Sequence, residues 1–148
     1  MLKKLRNWID RWAQPILYIF VLLVVSLFCI TECSGQSVHQ VDSVLKAHNI
    51  KHADIVLKQS ILETGWYTSY SCKERKNLFG FRYKGEYLKF DTWEESIAYY
   101  ARWQSRHLKE GYDNYYTFLE CLYKNRRGEC IRYAQDNDYI DKLKSLEI

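Results

Sequence analysis

Along this chain the spacing of apolar residues keeps changing, and each change predicts a different element. Residues Ile16 to Ile30 are apolar except for Ser26, and Lys3, Lys4, Arg6 and Arg11 precede them. Charge followed by an apolar run is the order of an export signal, so residues 1–35 are expected to take the chain out of the cytoplasm. A run of about 15 residues is short of the roughly 20 that span a bilayer, which favours cleavage before Gln36. The rival is a signal anchor, with residues 16–30 spanning the inner membrane at a slight tilt and Trp12 and Tyr18 as its interfacial anchors. Either way the destination is the periplasm or cell envelope. A lipoprotein is disfavoured because Phe28 and Glu32, not small residues, precede Cys29 and Cys33.

After residue 35 the period becomes helical. Val38, Val41, Val44, Leu45 and His48 make one face ending near Asn49. A second helix is predicted from about His52, with Ile55, Val56, Gln59, Leu62 and Glu63 at three- and four-residue steps and Gly65 as its stop. Thr64 to Lys76 lapses into polar residues and reads as a surface loop. From Phe79 to Phe90 the period falls to two, with Lys84-Gly85 as a two-residue turn, so Tyr83 should face Glu86 and Phe81 should face Leu88. Thr92-Trp93-Glu94-Glu95 is a capping box that starts a helix running through Ile97, Tyr100 and Gln104 to Gly111. Further helices are predicted from about Asp113 (Tyr115, Phe118, Leu119, Leu122), briefly over Cys130 to Gln135, and after a cap at Asp136 or Asn137 (Tyr139, Ile140, Leu143, Leu146). The expected fold is mainly α with one small β-hairpin, in a single domain over 36–148.

Composition narrows the function. Without residues 1–35 the chain keeps 18 basic and 16 acidic residues, a mild formal charge of +2 that argues against nucleic acid as a partner. Three cysteines remain, Cys72, Cys121 and Cys130; in an oxidising compartment a Cys121–Cys130 bridge is expected, with Cys72 left over or pairing instead. No cysteine stands in a nucleophile context. His48 and His52 are four apart, but Asn49 lies between helices, so neither a metal nor another cofactor is expected.

The candidate chemistry centres on Glu63 in Ile61-Leu62-Glu63-Thr64-Gly65-Trp66. A carboxyl in the last helical turn meets the negative end of the helix dipole, and a neighbouring indole would remove water; both favour the protonated form. A neutral carboxylic acid near pH 6 to 7 can protonate a glycosidic oxygen, and glycoside hydrolysis usually recruits a second carboxylate. Glu86, Asp91, Glu94 and Glu95 are the candidates; capping explains Glu95, and the helix N-terminus explains Glu94. Glu86, on the hairpin face of Phe81 and Tyr83, is preferred, with Asp91 behind it. Thirteen tyrosines and five tryptophans suit a carbohydrate groove as well as ordinary packing. Packing is the expectation for Tyr100 and Phe118, whereas Trp66, Tyr67 and Tyr70 lie outside any periodic face and are candidate sugar contacts.

Four ordered blocks carry a family resemblance: Ile61 to Trp66, then Asn77-Leu78-Phe79-Gly80-Phe81, then Phe90 through Trp93 to Ser96 with Tyr99-Tyr100, then Tyr133-Ala134-Gln135-Asp136 with Tyr139 and Lys142-Leu143. Over roughly Ala53 to Leu146 the chain resembles glycoside hydrolase family 73, the endo-β-N-acetylglucosaminidases of autolysins and flagellar peptidoglycan hydrolases. The resemblance implies a lysozyme-like helical domain with a small β-lobe, acting on peptidoglycan glycan strands between N-acetylglucosamine and N-acetylmuramic acid; a monomer is expected. It implies Glu63 as general acid, Glu86 as the nearest match to the second carboxylate, and Tyr133 as a sugar-holding tyrosine, with Phe81 and Tyr139 beside it. Two departures stand out: the hairpin is shorter than the β-lobe of many members, and Tyr67 follows Trp66 where many have a small residue. The rival functions are a lytic transglycosylase or muramidase, and a non-catalytic wall-binding or assembly module.

Overall fold

The computed structural model describes residues 36–109 and 114–148; the expected export segment and the predicted helix end at Gly111 lie outside them. Among the described residues there are six helices: α1 (Val38–Ala47), α2 (Ala53–Thr64), α3 (Tyr70–Arg75), α4 (Trp93–His107), α5 (Tyr115–Glu120) and α6 (Tyr139–Ser145). Two antiparallel two-stranded sheets join them, β1 (Arg82–Tyr83) with β2 (Glu86–Tyr87), and β3 (Tyr123–Lys124) with β4 (Cys130–Ile131). No described helix is long and apolar enough to cross a membrane.

The central element is α2. Ile55, Val56, Leu57, Gln59, Ser60, Ile61 and Thr64 are all buried, so the helix is enclosed on nearly every side, by α1 and α6 among others. Around it Val41 and Leu45 of α1, Ile97 and Tyr100 of α4, Phe118 and Leu119 of α5 and Leu143 of α6 form one core. The predicted caps are present in part. Thr92 Oγ1 accepts from the Glu95 backbone N–H, while Glu95 Oε2 accepts from the backbone of Asp91 rather than of Thr92. The first hairpin has the predicted register, Tyr83 opposite Glu86, and Leu88 N–H donates to the Phe81 carbonyl at 2.9 Å.

Several segments depart from the sequence-based expectation; the last helix, for one, starts after Asp138 without a side-chain cap and not after Asp136 or Asn137. Tyr70–Arg75 is a helix and not a loop, because Ser69 caps it and Cys72 anchors it in the core at 1% exposure. Helix α4 stops at His107, where Leu108 turns to extended backbone. Cys130–Ile131 is a strand and not a helix, giving a second hairpin where one was expected. The Cys121–Cys130 disulfide closes this segment, and Asn125 with Gly128 (φ +81°) forms the turn between the strands. Cys72 is free, and its thiol accepts from Gln36.

The disulfide closes a short loop, which limits but does not remove its value. Replacing both Cys121 and Cys130 by serine is expected to lower the unfolding free energy by about 2–3 kcal/mol, from the loop-closure entropy of a span of nine residues. A urea melt with and without the two substitutions checks this.

Candidate active site

Glu63 reaches the surface because α2 ends there. Gly65 takes the left-handed conformation that terminates the helix, and Trp66 and Tyr67 follow it at φ +58° and +62°. Left-handed backbone at two bulky residues is strained, and Thr64 holds it. Its hydroxyl donates to the Ser60 carbonyl and accepts from Tyr67 N–H at 3.0 Å, while the Tyr67 and Ser60 hydroxyls meet at 2.9 Å. This turn folds Tyr67 back under α2, so it is buried and not a groove residue. Trp66 and Tyr70, at 51% and 76% exposure, face solvent without lining the cleft. Trp66 is therefore not the group that dries Glu63.

The loop Asn77 to Phe81 forms the opposite wall. Asn77, 3% exposed, donates to the carbonyls of Phe81 and Leu88 and accepts from Phe81 N–H, which locks the loop to the hairpin. Gly80 sits at φ +64°, so close to Glu63 that a Cβ there would stand 3.0 Å from Oε2. Tyr133 donates to the Phe79 carbonyl at 2.9 Å, and its own N–H bonds to Leu119, which ties the second hairpin's exit to this wall.

Between these elements lies a cleft of about 470 Å³ lined by Glu63, Phe79, Gly80, Phe81, Arg82, Tyr87, Trp103, Leu122, Tyr133, Ala134 and Gln135. A second hollow of about 320 Å³, lined by Leu62, Glu63, Ala134, Gln135, Asp136, Tyr139 and Lys142, shares Glu63 with it. The carboxyl therefore stands between two adjoining depressions. It is accessible from the groove, while its Oε1 accepts from the Tyr139 hydroxyl at 3.0 Å. No ion pair involves Glu63 among the described residues.

Burial on its protein side raises the carboxyl above its ordinary range, and the Tyr139 hydrogen bond, which favours the charged form, only partly offsets this. Tyr139 and Tyr133 are themselves pushed far up, first by burial and then by neighbouring charge, so both remain protonated donors. Asp136 in the second hollow is held low by its hydrogen bond from Lys142.

Of the sequence candidates, Glu63, Phe81, Tyr133 and Tyr139 come together. Glu86 and Asp91 are exposed and do not line the cleft. Within the two-residue strands the Arg82–Tyr87 pair lines the groove and the Tyr83–Glu86 pair, on the other face, does not; Phe81, just before β1, lines it as well. The Arg82 guanidinium lies 3.9 Å from the Tyr87 ring centroid, and Arg75 Nη1 donates to the Tyr87 carbonyl. Arg82, Tyr87 and Trp103 are the lining residues that sequence reasoning passed over. Trp103 had a signal, since it follows Tyr99 and Tyr100 at helical spacing and its ring meets Phe81, Tyr100 and Tyr133.

A raised carboxyl in an aromatic groove is what acid-assisted cleavage of a sugar bridge needs. The family model for glucosaminidase, described as mannosyl-glycoprotein endo-beta-N-acetylglucosaminidase, matches residues 38–147. The chain belongs to the glucosaminidase family. The match spans both walls of the groove and every helix described above, in agreement with the resemblance to glycoside hydrolase family 73. No curated protein and no solved structure matches the chain. Membership of the glucosaminidase family makes glycoside hydrolysis the chemistry against which this groove is read.

Proposed function

We propose that the protein is an exported endo-β-N-acetylglucosaminidase that cuts peptidoglycan between N-acetylglucosamine and N-acetylmuramic acid, with Glu63 as general acid. The observation that carries this reading is a carboxyl biased toward its neutral form at the meeting of two hollows. A chain that runs on in both directions from the acid fits an enzyme cutting inside a polymer. Trp103, Phe81 and Tyr133 supply faces for pyranose rings, and Arg82 is the cation among the lining residues of the main hollow, suited to the lactyl carboxylate or peptide stem of a muramic unit.

Among the described residues Glu63 is the sole carboxylate lining the main hollow, so we assign charge stabilisation to the 2-acetamido group of the bound N-acetylglucosamine. Its carbonyl oxygen attacks C1 as the C1–O bond breaks, and Glu63 delivers its proton to the departing O4. Water then opens the cyclic intermediate, giving its proton back to the Glu63 carboxylate. On this account Glu86→Gln and Asp91→Asn retain activity within about threefold, because neither side chain meets the reacting centre. A hundredfold loss in either variant would restore that residue as the partner.

Mass spectrometry of muropeptides released by the purified protein tests the linkage. Reducing N-acetylglucosamine ends are expected. Anhydro-muramic ends identify a transglycosylase, reducing muramic ends identify a muramidase, and binding without turnover identifies a wall-binding module. Export is tested separately by fractionating cells that produce the full chain.

A further inference from the structure

From Glu63 a file of hydrogen bonds runs through the interior to the loop between α1 and α2. Tyr139 Oη donates to Glu63 Oε1 at 3.0 Å, and Gln59 Nε2 donates to Tyr139 Oη at 3.3 Å. Tyr100 Oη donates to Gln59 Oε1 at 2.7 Å and lies 2.6 Å from Tyr115 Oη, which accepts from Gln104 Nε2 at 3.0 Å. The file ends on one peptide segment: Lys51 N–H donates to Gln104 Oε1 at 2.8 Å, and the Lys51 carbonyl accepts from Gln104 Nε2 at 2.9 Å. Gln59, Tyr100, Tyr115 and Gln104 are 0%, 0%, 1% and 4% exposed. No buried side-chain nitrogen or oxygen among the described residues lacks a partner.

Amides and hydroxyls could each be turned round, which would reverse every bond in such a file. The Lys51 end cannot. A backbone N–H only donates and a carbonyl only accepts, so Gln104 must present its oxygen to one and its nitrogen to the other. That leaves Gln104 Nε2 donating to Tyr115. Leaving no buried hydroxyl proton unspent, Tyr115 then donates to Tyr100, Tyr100 to Gln59 Oε1, and Gln59 Nε2 to Tyr139. Tyr139 is left to donate to Glu63.

We infer that the Lys51 peptide, acting through Gln104, Tyr115, Tyr100 and Gln59, orders this file so that Tyr139 always donates to Glu63 Oε1, and the acid's proton is confined to Oε2. Oε2 is the oxygen beside Gly80 in the cleft. The four interior side chains and Tyr139 are positioning residues: they decide which oxygen of the acid faces the leaving group with a hydrogen on it. Aligned bonds of this kind also polarise one another in a dry interior, which strengthens the last donation. The catalytic part of the inference rests on Glu63 being the general acid.

Removing one hydroxyl from the middle of the file frees the Gln59 amide to reverse, and Tyr139 can then turn to Gln59 and leave Oε1. The titratable and charged groups lining the two hollows with Glu63, among the described residues, are Tyr139, Tyr133, Tyr87, Arg82, and the mutually paired Asp136 and Lys142. None of them is altered in Tyr100→Phe or Tyr115→Phe. The test is a carbon NMR titration of the Glu63 carboxyl, assigned by its loss in Glu63→Gln, in the full chain and in Tyr139→Phe, Tyr100→Phe, Tyr115→Phe and the Tyr139→Phe/Tyr100→Phe pair. The midpoint is expected to rise in Tyr139→Phe, to rise less in Tyr100→Phe and Tyr115→Phe, and to rise no further in the pair than in Tyr139→Phe alone. In parallel kcat on peptidoglycan falls about tenfold in Tyr100→Phe with KM unchanged. A wild-type midpoint in both Tyr100→Phe and Tyr115→Phe, or additive shifts in the pair, would overturn the inference. Tyr115→Phe supplies the reading if Tyr100→Phe does not fold. A midpoint that answers to the file in a protein without hydrolysis would sink the acid role and leave the ordering intact.

Discussion

Glu63→Gln is expected to abolish hydrolysis, lowering kcat by roughly a thousandfold, while keeping the fold and raising the melting temperature at neutral pH. The amide has the shape of the carboxyl, and its carbonyl oxygen can still accept from Tyr139, which donates at 3.0 Å. What is lost is a transferable proton. The stability gain follows from the raised carboxyl. Because the folded-state pKa lies above the ordinary 4.5, the stability associated with protonated Glu63 is fully present below about that pH and is lost as pH rises through the folded value. Above it, wild type holds a charge that is desolvated on its protein side only, since Glu63 is exposed toward the groove, and that the amide never carries. The melting-temperature difference between variant and wild type should therefore grow from acid to neutral pH. The wild-type kcat should fall over the same interval, as the acid gives up its proton to solvent. Wall-turbidity assays and thermal melts in one pH series read both effects, and near-normal clearing by the variant would remove Glu63 from the mechanism.

Much of the helical frame was legible in the residues because caps and stops are local. Gly65 ends α2, Thr92 starts α4, and the Lys84-Gly85 turn sets the first register, each through geometry that four or five residues determine. The carboxyl itself was legible for the same reason, being tied to a helix end. Its surroundings were not. Period-two reasoning assigns side chains to the two faces of a hairpin but cannot say which face meets the groove, and that choice exchanged Glu86 for Arg82 and Tyr87. Trp66, Tyr67 and Tyr70 looked free for sugar because no period claimed them, yet three successive left-handed residues put Tyr67 in the core and left Trp66 outside. Long-range bonds were also out of reach. Nothing in the spacing of Gln59, Tyr100 and Tyr139 marks them as one file, since the pairs lie 41 and 80 residues apart.

Gly80→Ala is expected to cost about a hundredfold in kcat together with about 1–2 kcal/mol of stability. The stability loss comes from φ +64°, a conformation that a Cβ disfavours. The activity loss has a separate origin. The new methyl would stand 3.0 Å from Glu63 Oε2, tighter than ordinary contact, so one of the two must move. The loop is poorly placed to yield, because Asn77 ties it by bonds of 2.9 and 3.0 Å to Phe81 and Leu88. The carboxyl yields instead, and with Oε1 tethered to Tyr139 the displacement falls on Oε2, the oxygen that faces the cleft. Gly85→Ala separates strain from contact. Gly85 sits at φ +89° with nothing within 4 Å of the place a methyl would take, so that substitution should cost comparable stability and leave kcat nearly unchanged. Measuring melting midpoints and kcat for the two variants side by side decides the matter. Equal activity losses would mean that hairpin strain, and not crowding of the acid, explains the effect at Gly80.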